Sequence, residues 1–245
     1  MRWATLALVA LTLTGCETTQ EKAAKLEKIA ELHEREAAKH GAPGKRGLAI
    51  VHESTKVRIL ATSVLHSSEG VAAVVTLRNT SATTMRNVPV AITLTSASGT
   101  AVYSNNAPGL SPALVSAPLL PAHGELTWID DQIPVGGAPT RVRAKVGEGE
   151  ATSVAIPRLS VQGAHVYEDP TNGPGAEGVL VNHSSISQQE LVVYAVARRG
   201  AAIVAAGRAI LPQAPAGAST RFQVFFIGDP RGGKLEVSAL PTSLG

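Results

Sequence analysis

Few residues in this chain have types and spacings suited to chemistry. Cys16 is the only thiol in 245 residues, so no disulfide can close within the chain. It ends the run Leu13-Thr14-Gly15-Cys16, a setting that suits acylation of sulfur better than redox or metal chemistry. Asp130 and Asp131 are adjacent. On a strand their side chains point to opposite faces, which makes them poor partners for acid–base work. At a strand end they would help bind Ca2+ only with loop oxygens, and the spacing is not that of an EF-hand. His52, His66, His123, His165 and His183 show no metal-ligand spacing. No G-x-S-x-G elbow occurs. No catalytic residue, metal ligand or cofactor-binding residue is therefore expected.

Two glycine patterns imitate nucleotide sites. Gly228 to Lys234 has the G-x4-G-K spacing of a phosphate loop, but Leu235 stands where a magnesium-binding hydroxyl is needed. The segment after it alternates as a strand, so no helix N-terminus faces a phosphate. Gly173-Pro174-Gly175-Ala176-Glu177-Gly178 fits G-x-G-x-x-G, yet a strand follows instead of a helix. Both read as turns. Asn79-Thr80-Ser81 and Asn182-His183-Ser184 match the glycosylation pattern and also read as turns.

Met1-Arg2 and a short apolar run, Trp3 to Leu13, precede Cys16. The run is too short to span a bilayer, which takes about 20 residues, and suits a signal-peptide core of roughly 7–15. Leu13, Thr14, Gly15 and Cys16 together resemble a bacterial lipobox. The resemblance implies cleavage after residue 15 and lipid on Cys16, as diacylglycerol and palmitate. It implies a protein held at the cell envelope by a lipid anchor, facing the periplasm or the exterior. Residue 17 is Glu, which does not choose between inner and outer membrane.

Residues 16–46 then read as a lipidated N-terminus and helical linker. Lys22 to His40 lacks Gly and Pro, and Glu21/Lys25 and Glu31/Arg35 stand at i, i+4. Leu26, Ile29, His33 and Ala37 make only a thin apolar stripe, so a solvated spacer is expected. A pairing face for a partner helix is the alternative. His33 and His40 lie about 10 Å apart along such a helix, too far to share a metal.

From Gly47 the texture becomes strand-like. Strands are expected near 47–52, 56–65, 70–78, 87–96, 100–104, 124–130 and 140–146. A second series follows near 151–161, 164–168, 177–182, 190–198, 201–210, 219–227 and 234–239. Aromatics make up 3% of the chain, so the core must be mainly aliphatic, with Trp128 as a plug. The halves align as a tandem repeat. Leu77-Arg78-Asn79-Thr80-Ser81 matches Leu180-Val181-Asn182-His183-Ser184, and Val88-Pro89-Val90 matches Leu191-Val192-Val193. Glu69-Gly70-Val71 resembles Glu177-Gly178-Val179, and Pro121-Ala122-His123-Gly124 resembles Pro215-Ala216-Gly217. The fold class expected is all-β: two tandem immunoglobulin-like β-sandwich domains, 47–150 and 151–245, each folding independently.

This order of strands and turns resembles bacterial extracytoplasmic modules of the FxLYD type. The aromatic-Leu-Tyr-Asp stretch of that family reads Ile92-Thr93-Leu94-Thr95 and Tyr194-Ala195-Val196-Ala197 here. The resemblance implies binding or spacing and no catalysis. The formal charge is +3, of which Arg2 supplies one, too slight a bias to suggest nucleic acid. The function expected is a non-catalytic, membrane-anchored envelope lipoprotein offering its modules to an envelope protein partner. The alternative is a small-ligand or glycan-binding lipoprotein. A cluster of exposed aromatics on one sheet face would favour glycan, and the scarcity of Phe, Tyr and Trp argues against it.

Overall fold

The computed structural model describes residues 47–134, 139–170 and 173–245. The signal peptide, Cys16 and the expected helical linker lie outside these residues. Residues Arg46–Gly245 form one compact unit, and its architecture is all-β.

The first half contributes β1 (Val57–Ser67), β2 (Gly70–Asn79), β3 (Thr84–Thr95), β4 (Ala101–Ser104), β5 (Ser116–Leu120), β6 (Glu125–Asp130), β7 (Arg141–Val146) and β8 (Glu150–Thr152). The second contributes β9 (Leu159–Asp169), β10 (Gly173–Asn182), β11 (Gln188–Arg199), β12 (Ala202–Ala214), β13 (Ser219–Phe225), β14 (Ile227–Gly228) and β15 (Lys234–Ala239). Period-two alternation explains several of them. In β7, Arg141, Arg143 and Lys145 are exposed while Val142 and Ala144 pack on the core.

The pairings repeat. Sheet β1-β2-β6 corresponds to β9-β10-β13. Strand β3, flanked by β4 and β5 on one edge and by β7 and β8 on the other, corresponds to β11 between β12 and β15. All strands pair antiparallel, and each pairing stays within one half.

The corner after β2 is rebuilt almost atom for atom after β10. Asn79 is fully buried and donates to the carbonyls of Thr83 (2.8 Å) and Leu120 (3.2 Å), while its Oδ1 accepts from Ser81 N–H and Oγ–H. Asn182 donates to Ile186 (2.9 Å) and Ala214 (3.1 Å) and accepts twice from Ser184. The turns across from them match as well, with His123 at φ 55° and Gly217 at φ 66°. Asn87 (φ 48°) and Glu190 (φ 47°) place the same left-handed residue near the start of β3 and β11. These asparagines are turn anchors, as the sequence suggested.

Several sequence expectations are revised. Residues 47–52 form no strand; the segment ends with Ser54 N–H donating to Val146 O. Residues 151–161 do not form one strand either. Residues 150–152 close on β3 as β8, and β9 begins only at Leu159, so the first half runs past residue 150. β9 absorbs the expected 164–168 strand and accommodates a bulge at Gly163, φ 61°. β5 escaped notice because Pro118 interrupts an already short run. The Glu69-Gly70-Val71 match to Glu177-Gly178-Val179 is out of register: Gly70 opens β2 and Gly173 opens β10.

The largest revision concerns independence. One hydrophobic cluster runs from Val75, Leu77, Trp128 and Ile129 into Val192, Tyr194 and Val196 of β11 and Ala206 of β12. The alternate residues of β11, Leu191, Val193, Ala195 and Ala197, fill a second cluster inside the second half. β11 is therefore buried on both faces. β2 is as well, with Val71 to Val75 all buried. Strands β11, β12 and β14 lie against β1, β2 and β6. The result is four sheets in series, with the β1-β2-β6 and β11-centred sheets as inner layers.

Candidate functional site

Two places gather polar side chains: the junction between the halves and the outer face of the last sheet.

At the junction, consecutive residues of β6 and the segment after it serve opposite sides, as strand geometry requires. Asp130 turns inward and accepts from the Tyr103 hydroxyl at 3.0 Å and from Gln132 N–H at 3.1 Å. Burial raises its carboxyl above the usual range, partly offset by those two donors. Burial and the Asp130 charge push the Tyr103 hydroxyl up in turn. Asp131 turns outward and crosses to the second half. Its Oδ1 accepts from Arg208 Nε at 2.8 Å and its Oδ2 from Arg208 N–H at 2.9 Å. The Arg208 side chain is 3% exposed and that of Asp131 15%. Arg208 stands opposite Tyr194 in the β11–β12 register, and both Arg208 Nη1 and Tyr194 Oη are buried without a partner. Both aspartates are thus taken by protein donors, which leaves no geometry for the Ca2+ site that their adjacency suggested. The Asp131–Arg208 pair joins the halves, and beside it a concavity of about 230 Å3 opens at the same junction, lined by Thr76, Thr127, Tyr194 and Arg198 among others.

The outer sheet is different. Residues of β9, β10 and β13 form rows across its exposed face. Tyr167, Gly175 and Phe225 make one row; His165, Glu177 and Gln223 the next; Gln162, Val179 and Arg221 the third. Tyr167 and Phe225 meet edge to face, ring centroids 6.4 Å apart at 61°. Gly175 lies between them for a steric reason: a Cβ there would sit 2.7 Å from Tyr167 Cε1 and 2.6 Å from Val224 O. In the second row Glu177 lies 3.2 Å from His165 Nε2 and accepts from Gln223 Nε2 at 3.3 Å. His165 Nδ1 lies 3.0 Å from Gly163 O. A concavity of about 580 Å3 opens over the second and third rows. Phe225 is 43% exposed.

The same rows in the first half carry Leu65, Ala72 and the β6 end, then Ser63, Val74 and Ile129. There these two rows are mostly apolar and lie against the second half, while the next row, Ala61, Thr76 and Thr127, carries hydroxyls and Thr127 accepts from Arg198 of β11. In the last sheet the matching positions hold Gly175, Glu177 and Gln223. The equivalent face is a largely apolar contact in the first half and an open, hydrogen-bonding surface in the last sheet.

None of this second site was found by sequence reasoning. Its signal was the register: Tyr167 and Phe225 lie 58 positions apart and meet only through β10. Of the two glycine patterns read as turns, Gly173 to Gly178 is instead the first part of strand β10, paired with β9. Gly228 opens a hairpin in which Gly233 N–H donates to Pro230 O, and Lys234 begins β15. His183 bonds the Ser160 hydroxyl at 2.8 Å. Trp128 is fully buried, its Nε1 donating to Ala113 and Ser116 carbonyls. Among the described residues no group of three or more His, Cys, Asp or Glu is arranged to hold a metal ion, and no helix is long and apolar enough to cross a membrane. Leu13, Thr14, Gly15 and Cys16 fall outside the described residues. No protein-family model matches the chain, and no curated protein is significantly similar to it.

Proposed function

We propose that the protein is a non-catalytic, lipid-anchored envelope lipoprotein whose tandem immunoglobulin-like sandwiches act as a rigid contact module. Lipid on Cys16 holds it to the membrane, and residues 17–46 space the module from that surface. The observation that carries the reading is how the junction residues are used. Asp131 and Arg208 fasten one half to the other, with Asp130 and Tyr103 paired behind them inside the first half, and the open hydrogen-bonding face lies on a terminal sheet. A chain built this way presents a surface. The repeated pairings and the twin asparagine corners support the tandem-sandwich assignment. An envelope protein is the partner this arrangement suits first. The Tyr167–Phe225 pair on one sheet face is the specific observation favouring the second reading, a ligand- or glycan-binding lipoprotein.

Replacing Cys16 with Ser tests the anchor. The variant is expected in the soluble envelope fraction, with the parent in the membrane fraction. A Cys16→Ser protein that still sediments with membranes would refute lipid anchoring.

A further inference from the structure

We infer that the open face of β9, β10 and β13 binds a neutral oligosaccharide, one sugar ring resting on Phe225 and its hydroxyls on the Glu177 row. The idea deepens the second reading above and draws on the envelope setting only for where such a polymer would be met.

Three observations carry it. The first is the set of polar groups. Sugar hydroxyls both donate and accept, so a matching face must do both. Glu177 accepts, Arg221 donates, and Gln162 and Gln223 do each. The Arg221 and Gln162 side chains point from their paired strands with no side-chain hydrogen bond among the described residues. The second is Phe225. It ends the edge strand β13, in the row next to His165, Glu177 and Gln223, and its ring is 43% exposed. Its electron-rich face suits the C–H side of a sugar ring, and Tyr167 braces it across Gly175. The third is the contrast with the first half. Had the last face only lost its partner sheet, scattered charges would be enough to keep it soluble. Instead it carries an aromatic pair, a cleared glycine and a concavity of about 580 Å3.

The charge selects the class. Glu177 sits in the middle of the face beside a single arginine, which disfavours a polyanion such as nucleic acid. The apolar complement, the Tyr167–Phe225 pair with Val179, is of the size that covers one sugar ring.

The experiment uses the full chain in detergent micelles, titrated calorimetrically with chitotetraose, cellotetraose and maltotetraose. At least one is expected to bind with a Kd below about 1 mM. Hydrogen exchange should slow in peptides from β9, β10 and β13 and nowhere else. Phe225→Ala should weaken that binding roughly tenfold, the loss of one stacked ring, while Phe225→Tyr retains it. If Phe225→Ala does not fold, Arg221→Ala, at an exposed position, is expected to weaken binding several-fold. Absence of binding by all three sugars overturns the inference, as does binding that protects another surface. So does protection of this face that depends on protein concentration instead of sugar, which would mark a contact between copies. Cys16→Ser fractionation is untouched by any of these outcomes, so the two readings fail separately.

Discussion

Asp130 and Asp131 differ by one position and live in different worlds. One is held inside the first sandwich by Tyr103, and the other reaches across to Arg208. Alternation along the strand was legible in the sequence, and so was the opposed direction of the two carboxylates. Their partners were not, because Tyr103 and Arg208 arrive through long-range pairing. The raised pKa of Asp130 has a stability consequence of definite sign. A carboxyl that holds its proton more tightly when folded gives its full stability contribution below the unfolded value of about pH 4. That contribution is lost as pH rises through the folded value. Asp130→Asn, which never ionises, should lack this loss. Urea unfolding of parent and variant at about pH 4 and about pH 7 will show it: the parent is expected to fall relative to the variant on going to the higher pH. An unchanged difference between them would mean that Asp130 does not titrate in the folded protein's range.

The asparagine corners matter at the scale of the elements. Each ties the end of one strand to the turn that follows and to a strand across the sandwich, through a fully satisfied buried amide. Asn182→Ala would take the amide from the Ala214 carbonyl and the acceptor from the Ser184 N–H, while the Ile186 carbonyl keeps Ser184 Oγ and Gln188 Nε2, at a cost of about 1–3 kcal/mol. For a body of this size that is a fall in Tm of roughly 5 °C, read by calorimetry. A melt within about 1 °C of the parent would show that the corner is ornamental. Most strands were legible because Val, Leu and Ile alternate with polar residues in β3 and β7. β5, β8 and the long bulged β9 were not, since proline, glycine and short length blur the period. The continuous apolar runs Val71 to Val75 and Leu191 to Ala197 were the readable sign of strands covered on both faces. The expectation of independently folding halves passes over that sign.

At the scale of the whole molecule, the shared cluster changes what a fragment should do. Residues 153–245 alone would expose Val192, Tyr194, Val196 and Ala206 and leave Arg208 without Asp131. An arginine buried with its partner removed costs several kcal/mol or draws in water. The fragment is expected to melt well below the full chain, and to regain stability when residues 47–152 are added in trans. A fragment as stable as the parent would mean that the junction is a loose contact. The junction also joins unlike surfaces, the apolar face of one module against the β11 face of the next. Contacts of that head-to-tail kind ordinarily propagate into filaments. Here the two ends of the series refuse further members. Glu177 and Gln223 replace the greasy centre at one end, and Arg141, Arg143 and Lys145 line the other. They resemble the polar caps that terminate repeat arrays, so neither outer face offers a copy of the apolar junction surface.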